Sequence, residues 1–284
     1  MTFAQAIRSA TEIALKDERV HVLGLGASYS NGLDGTMGDL AVRFAGRVHE
    51  IPCSEAAVTS MAVGMAVTGL RPLVHHGRME FGFYAADALL TQAAKWNYMF
   101  GGDYPCPLTV RIAMGRQWGN GPQHTFTNKS IFAVPGLHVV CPATPESAKE
   151  LLIAAVACND PVIYVESRWL YKINGSEGCD SPDPSVLSKA KVLREGSDIT
   201  LVAVADMVVE ALRASIFLAK LGISAEVVDV VSVYPLDIYT IHRSADKTGV
   251  VLAIDAANPQ HSVASEIAAT IDAFTLTCPD TPCP

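Results

Sequence analysis

The sequence predicts an α/β protein with two parallel sheets, each belonging to its own domain. Short runs rich in β-branched residues alternate with segments of helical periodicity. Several runs are continuously apolar, such as "PLTVRIAM" (107–114), which is typical of parallel strands covered on both faces by helices. A stretch rich in Gly, Ser, Pro and Asp at 174–189 interrupts the alternation, which then resumes. The predicted boundaries are 1–175 for the first domain, 176–192 for the linker and 193–284 for the second domain.

The predicted elements of the first domain follow from these patterns in chain order. The N-terminal segment "MTFAQAIRSATEIALKDERV" has the periodicity of an amphipathic helix and lacks the features of a signal peptide. The predicted strands are 20–25, 47–51, 71–76, 107–114, 137–141 and 161–166. The predicted helices between them are 36–46, 55–68, 83–97 and 145–158. No apolar run reaches the roughly 18 residues of a membrane-spanning helix.

The second domain repeats the alternation on a smaller scale. Its Val-rich runs are spaced by segments long enough for helices, which favours another parallel sheet. The predicted order is strand 199–204, helix 207–221, strand 225–231, helix 236–246, strand 249–255 and helix 261–274.

The composition and net charge of the chain indicate which classes of binding partner it is unsuited to. Among 284 residues, 50% are hydrophobic and 18% are charged, and the net charge is −8, which argues against nucleic acid or an anionic membrane as the main partner. The seven cysteines are scattered, with no Cys-x-x-Cys and no Cys/His pair at zinc-like spacing. We therefore predict no metal site and a reducing cytoplasmic compartment. Whether Cys278 and Cys283 pair stays open.

Glu55 is the first candidate for a functional residue. It is the one charged side chain in "IPCSEAAVTSMAVGMAVTGL" (51–70), and it follows Ser54, a residue favoured at helix N-caps. The predicted helix has no continuous polar face, so we expect it to be buried all round. A carboxylate there needs a partner to offset desolvation, and a bound ligand could supply one. A simple helix-start charge explains the segment equally well.

Two aromatic or titratable residues are weaker candidates when each is taken alone. His124 lies in a glycine-containing loop (115–130) after an apolar strand, where sites in α/β proteins usually form. Phe81 comes just before a predicted helix and could equally be a core residue. An ordinary surface loop with an incidental histidine is the alternative interpretation of His124.

Taken together, these motifs give the chain a family resemblance. It resembles the beta subunit of the thiamine-diphosphate-dependent 2-oxo acid dehydrogenases of the pyruvate, branched-chain and acetoin complexes. The motifs are Pro52-Cys-Ser-Glu55-Ala, Phe81 ahead of "AADALLTQAAK", Gln123-His124, "PGLHVVCP", "AKELLIAAVACNDPVIYVE" and "SDITLVAV". The resemblance implies a pyrimidine-binding domain followed by a transketolase C-terminal-like domain, here shorter than in typical members.

The resemblance also implies roles for the candidate residues. Glu55 would hydrogen-bond a ring nitrogen of the aminopyrimidine of thiamine diphosphate, and Phe81 would stack on that ring. His124 would handle protons when the acyl group passes to an acceptor, with a lipoyl group as the expected acceptor. The roles of His75, His76 and Arg78, which depart from the usual family sequence, stay open: they could meet a substrate or a partner subunit.

An alpha subunit is the partner that the resemblance implies. The Gly-Asp-Gly…Asn motif that holds the diphosphate and Mg²⁺ is absent here, so that subunit would carry it in an α2β2 assembly, with the helix at 55–68 as a candidate interface. A lipoyl-bearing acyltransferase is a further expected partner. The alternatives are the C-terminal half of a split transketolase, a stand-alone acyloin-forming or decarboxylating enzyme, and a non-catalytic scaffold or regulatory subunit.

Overall fold

The structure, a computed structural model, describes residues 1–29, 32–115 and 121–277. The strands in these ranges are β1 (Val20–Gly24), β2 (Val48–Glu50), β3 (Arg71–His76), β4 (Thr109–Met114), β5 (His138–Val140), β6 (Val162–Ser167), β7 (Lys191–Arg194), β8 (Ile199–Ala203), β9 (Ala225–Asp229), β10 (Ser232–Tyr234) and β11 (Val251–Ile254). The helices are α1 (Phe3–Ala14), α2 (Leu40–Arg43), α3 (Glu55–Val67), α4 (Phe81–Tyr84), α5 (Ala94–Met99), α6 (Pro145–Ala157), α7 (Met207–Lys220), α8 (Ile238–Thr248) and α9 (Val263–Thr277). Every predicted strand is present.

The first sheet has the strand order β10-β5-β6-β4-β3-β1-β2. All neighbouring pairs are parallel except β10 with β5. Parallel strands end at the same edge, so the residues that follow β1, β3, β4 and β6 are brought together there. Helix α1 covers this sheet together with α6, and its first turn is fixed by a capping box between Thr2 and Gln5.

The second sheet has the order β11-β8-β9-β7 and is parallel except for β7. The patterns did not predict β7 and β10, which are both short and lie antiparallel at an edge of a sheet. Strand β9 ends at Asp229, and Val231 has a φ of 55° that turns the chain toward the first sheet. A strand from the second half of the chain therefore extends the first sheet.

The predicted helix at 36–46 was wrong for most of its length. Helical structure is limited to the four residues of α2. Gly38 has a φ of 56° and Gly46 a φ of 85°, and an α-helix cannot continue through this left-handed region. The glycines therefore confine the helix to the short stretch between them.

The predicted helix at 83–97 is interrupted. Helix α4 begins at Phe81, and a π-helix over Asp87–Ala93 separates it from α5. The Thr91 hydroxyl donates to the Asp87 carbonyl at 2.6 Å, a local bond that competes with the regular helical ladder. No helix among the described residues is long and apolar enough to cross a membrane.

The two sheets share buried apolar contacts. One apolar cluster contains Val110 of β4 and Cys141 together with Val202 of β8 and Val228 of β9. Next to it, Lys129 Nζ lies 2.5 Å from Asp255 Oδ1, and both side chains are about 1% exposed. The Thr127 hydroxyl also donates to the Ala256 carbonyl at 3.1 Å. The loop that carries His124 is therefore anchored to the second sheet.

Candidate active site

Glu55 is the first residue of α3, at the carboxyl-end edge of the first sheet. The Ser54 side chain occupies the N-cap position without making a cap hydrogen bond. The Cys53 thiol is 3.7 Å from Glu55 Oε1. The glutamate is partly exposed, so its carboxylate can accept a hydrogen bond from a molecule that enters this edge.

Helix α3 is not buried all round, contrary to the prediction. One face packs against the sheet, and the other is exposed and carries no charge. The exposed residues are Ala56, Ala57, Ser60, Met61 and Gly64. The prediction failed because the composition of a helix shows that an apolar surface needs covering but does not show whether the same chain covers it.

Phe81 and His124 are in contact. Their ring centroids are 5.6 Å apart and the rings are nearly perpendicular, at 83°. His124 Nδ1 is shielded from solvent and has no hydrogen-bond partner among the described residues. Helix α4, which begins at Phe81, also packs against α3, which begins at Glu55. The fold thus brings the elements that carry all three candidates together at one edge.

A buried hydrogen bond fixes α3 on the sheet. The Thr59 hydroxyl lies 2.9 Å from His76 Nε2 at the end of β3, and both side chains are buried. Burial lowers the pKa of His76 to about 3, with the nearby His75 as a second cause, so the imidazole is neutral. Because Thr59 is one turn after Glu55 on the same helix face, this bond sets the rotation of the helix that presents the glutamate.

A buried ion pair, which the sequence patterns did not predict, lies beneath the same edge. Arg111 donates from Nε to one oxygen of Glu166 at 3.0 Å and from Nη2 to the other at 2.8 Å. The Tyr171 hydroxyl donates to Glu166 Oε1 at 2.6 Å, and Arg111 Nη2 also donates to the Thr36 hydroxyl at 2.9 Å. Both charged side chains are fully buried. The lone Arg in "TVRIAM" and the lone Glu in "VIYVES" are the signal that could have found it, because buried charges need partners.

The electrostatics of this pair keep both groups charged. Burial would raise the pKa of Glu166, but the charge and the hydrogen bonds of Arg111, together with the nearby His75, lower it to about 2. Burial also lowers the pKa of His75, whose Nε2 is 3.6 Å from Glu166 Oε1. The roles of His75 and Arg78 stayed open in the sequence. In the structure, His75 is buried beside the ion pair, whereas Arg78 is partly buried at the rim of the site.

Two loops at the rim of the site are held in place by side-chain contacts. Arg168 Nη2 contacts Asp34 Oδ1 at 2.6 Å, and Asp34 has a left-handed φ of 57°. Glu50, at the end of β2, accepts hydrogen bonds from the backbone N–H of Gly26 at 2.5 Å and of Ser28 at 3.1 Å. These bonds hold the loop after β1 against the end of β2. The segment 116–120, which lies within the predicted loop at 115–130, is outside the described residues.

The comparisons with known proteins match this architecture. The transketolase pyrimidine-binding domain family matches residues 1–174, and the transketolase C-terminal domain family matches residues 188–283. The acetoin:2,6-dichlorophenolindophenol oxidoreductase subunit beta of Cupriavidus necator is 36% identical over 241 residues, which cover 84% of this chain and 71% of that protein. The pyruvate dehydrogenase E1 component subunit beta of Bacillus subtilis is 36% identical over 275 residues, covering 96% and 85%.

Other similarities extend to a plant protein and to solved structures. The mitochondrial pyruvate dehydrogenase E1 component subunit beta-1 of Arabidopsis thaliana is 37% identical over 277 residues, which cover 95% of this chain and 76% of that protein. A split-gene transketolase, solved as an inactive beta4 tetramer, aligns with a TM-score of 0.80 at 21% identity and covers 96% of this chain and 84% of its own. At that identity the structural likeness supports the fold alone.

Proposed function

Because the chain belongs to the family of beta subunits of thiamine-diphosphate-dependent 2-oxo acid dehydrogenases, we propose that it forms the pyrimidine-binding half of an active site that decarboxylates a 2-oxo acid. Two observations support the proposal: the rings of Phe81 and His124 are in contact, and α4, which begins at Phe81, packs against α3, which begins at Glu55. A partly exposed carboxylate, an aromatic ring and an unpartnered imidazole nitrogen fit an aminopyrimidine ring.

Glu55 would hydrogen-bond a ring nitrogen of the aminopyrimidine, and its carboxylate would favour the imino tautomer, in which that nitrogen carries a proton. The place of Glu55 at the start of α3 suits an anion, because the free N–H groups of the first helical turn carry partial positive charge. The apolar face around it would strengthen that hydrogen bond once the partner subunit excludes water. When bound, thiamine diphosphate supplies the electron sink that accepts the electron pair released as carbon dioxide leaves.

Phe81 and His124 would have separate roles, one in binding the pyrimidine ring and the other in proton transfer. Phe81 offers a ring face for stacking on the pyrimidine, and its edge contact with His124 fixes the orientation of both rings. His124 would hold or move a proton when the acyl group passes to an acceptor, a role that suits an imidazole near neutral pH. A lipoyl group is the acceptor we propose.

An alpha subunit would complete the site. Members of this family work with an alpha subunit, and we propose that it carries the diphosphate and Mg²⁺ in an α2β2 assembly. The exposed, uncharged face of α3 is the surface we assign to it, because obligate interfaces resemble an apolar core divided between two chains. A lipoyl-bearing acyltransferase, a cytoplasmic location and the domain boundaries 1–175 and 193–284 belong to the same proposal.

The decisive experiment measures thiamine diphosphate binding by calorimetry. The chain is titrated alone and then together with the alpha-type chain encoded nearest to it, with and without Mg²⁺. We expect the pair of chains to bind thiamine diphosphate tightly and only with Mg²⁺ present, and we expect no binding by this chain on its own. Glu55→Ala should slow 2-oxo acid decarboxylation by the pair by roughly 10²–10³-fold, on the scale of other lost catalytic hydrogen bonds.

Glu18→Gln is the matched control, because Glu18 is an exposed carboxylate far from α3 in the sequence. It should leave both binding and decarboxylation unchanged. Full activity in Glu55→Ala would refute the role of Glu55. Ketol transfer between sugars without 2-oxo acid decarboxylation would identify a split transketolase, and a failure of the pair to bind the cofactor would identify a scaffold.

A further inference from the structure

Two arginines lie at the edge of the first sheet that carries the candidate active site. Arg78 is two residues beyond the end of β3 and three residues before Phe81, and Arg168 directly follows the end of β6. Because parallel strands end at one edge of a sheet, both arginines lie on the same side of the molecule as Glu55. Both side chains are partly buried, and Arg78 Nη1 donates to the Gly77 carbonyl at 2.5 Å.

The guanidinium groups of Arg78 and Arg168 are close enough to repel each other. Burial lowers the pKa of Arg78, and the charge of Arg168 lowers it further. Asp34 and Glu80 act on Arg78 in the opposite direction, but each carboxylate has another partner. Asp34 contacts Arg168 Nη2 at 2.6 Å. Glu80 accepts a hydrogen bond from the Phe126 backbone N–H at 2.6 Å. An anion bound beside both arginines would relieve their repulsion.

The buried network beneath these arginines contains polar atoms that a ligand could satisfy. Tyr171, whose hydroxyl donates to Glu166, is one of the groups that act on Arg78, so the network and the arginine adjoin. Within the network, Arg111 Nη1 and His75 Nε2 are buried and have no hydrogen-bond partner among the described residues. A buried N–H group without a partner is costly, so a polar group of a ligand is favoured at this edge.

We propose that Arg78 and Arg168 recognise a second carboxylate, in the side chain of the 2-oxo acid, so that the substrate is a 2-oxo dicarboxylic acid. This inference rests on the proposed function and names the substrate class of the same site. A guanidinium group presents paired N–H donors that fit the two oxygens of a carboxylate. Two such groups would favour a charged substrate side chain over an apolar one.

The carboxylate next to the keto group does not suit this role. It leaves as carbon dioxide, so its charge is lost during the reaction. A strong ion pair with it would stabilise the bound substrate more than the transition state and would slow decarboxylation. A second carboxylate keeps its charge throughout, so its contacts with the arginines persist in the transition state and raise kcat/KM. The diphosphate of the cofactor is not the expected anion either, because we assign it to the alpha subunit.

The test uses the assembled pair of this chain and the alpha-type chain, loaded with thiamine diphosphate and Mg²⁺. It compares 2-oxoglutarate with 2-oxovalerate, two acids of equal chain length that end in a carboxylate and in a methyl group. We expect a higher kcat/KM for 2-oxoglutarate. Glutarate and valerate, which lack the keto group, measure recognition without turnover, and calorimetry should show that glutarate binds more tightly.

Arg78→Met removes the charge and keeps most of the length of the side chain. It should lower the ratio of kcat/KM for 2-oxoglutarate to kcat/KM for 2-oxovalerate by about 10–100-fold, as expected for the loss of a hydrogen bond between charged groups. The change should come mainly from a higher KM for 2-oxoglutarate. Arg243→Met is the matched control, because Arg243 is exposed on α8 in the second half of the chain, and it should leave the ratio unchanged.

The outcomes separate this inference from the proposed function. A pair that binds thiamine diphosphate but does not prefer 2-oxoglutarate would overturn the inference and leave the proposed function intact, even if Arg78→Met fails to fold. An unchanged preference in Arg78→Met would overturn the inference too. A pair that does not bind thiamine diphosphate would overturn the proposed function, and this inference with it.

Discussion

Buried charged side chains in this protein differ in whether an opposite charge lies beside them. Arg111 and Glu166 are paired through two hydrogen bonds and have further partners in Thr36 and Tyr171. Asp229, by contrast, accepts a hydrogen bond from the backbone N–H of Val231 at 3.0 Å. Its carboxyl group is buried at the end of β9. The paired glutamate stays ionised, whereas Asp229 titrates near neutral pH.

Asp229 should make the stability of the protein depend on pH. Burial raises its pKa from 3.8 to about 7, outweighing the lowering by the Val231 N–H and the charge of Lys191. The folded state therefore binds the proton more tightly than the unfolded state. The resulting stabilisation is complete below about pH 4 and is lost as the pH rises through about 7. Asp229→Asn cannot titrate, so its stability relative to wild type should rise by roughly 2–4 kcal/mol from pH 4 to pH 8.

Urea unfolding at several pH values between 4 and 8 checks this prediction. Asp103→Asn is the control, because Asp103 is an exposed aspartate in a loop. The difference in the free energy of unfolding between Asp103→Asn and wild type should not change with pH. If Asp229→Asn and wild type gave parallel stability profiles, Asp229 would not be the group that titrates.

At the scale of single elements, helix α3 has one face that packs against the sheet and one face that is exposed. The packed face carries the Thr59–His76 hydrogen bond, and the exposed face is apolar. The helical periodicity predicted the bounds of α3 within one residue, because helix formation there depends on local composition. The contact with His76 was not predictable in this way, because it depends on how the helix is rotated over β3.

Thr59→Val should loosen the fixed orientation of α3. The substitution keeps the shape of the side chain but leaves His76 Nε2 buried without a partner, which costs about 1–3 kcal/mol. We expect lower stability in urea and, in the assembled enzyme, weaker binding of thiamine diphosphate. Thr68→Val is the control at the exposed end of the same helix, where Thr68 bonds to its own helix backbone. Equal effects of the two substitutions on cofactor binding would argue against a positioning role for Thr59.

At the scale of the whole molecule, several kinds of contact join the two halves of the chain. Strand β10 from the second half pairs with β5, the apolar cluster spans both sheets, and Lys129 pairs with Asp255. Asp255 also accepts backbone hydrogen bonds from Ala257 at 3.3 Å and Val263 at 3.2 Å. The loop that carries His124 therefore depends on the second half of the chain for its position.

Asp255→Ala should destabilise the protein strongly. It leaves the Lys129 ammonium buried without an opposite charge, and breaking a buried ion pair in this way costs about 3–5 kcal/mol. The free energy of unfolding in urea measures the loss. Asp272→Ala, at an exposed position on α9, should change it by less than about 0.5 kcal/mol. A loss of similar size in both variants would show that the ion pair does not hold the two halves together.

By itself, the sequence determined the order along the chain of all strands except β7 and β10, most of the helices and the place of Glu55 at a helix start. These features follow from local periodicity and from residues close together in sequence. Only the tertiary structure decided the pairing of Arg111 with Glu166 and the addition of β10 to the first sheet. Each of these joins residues far apart along the chain, so it depends on which strands become neighbours, and local patterns do not encode that choice.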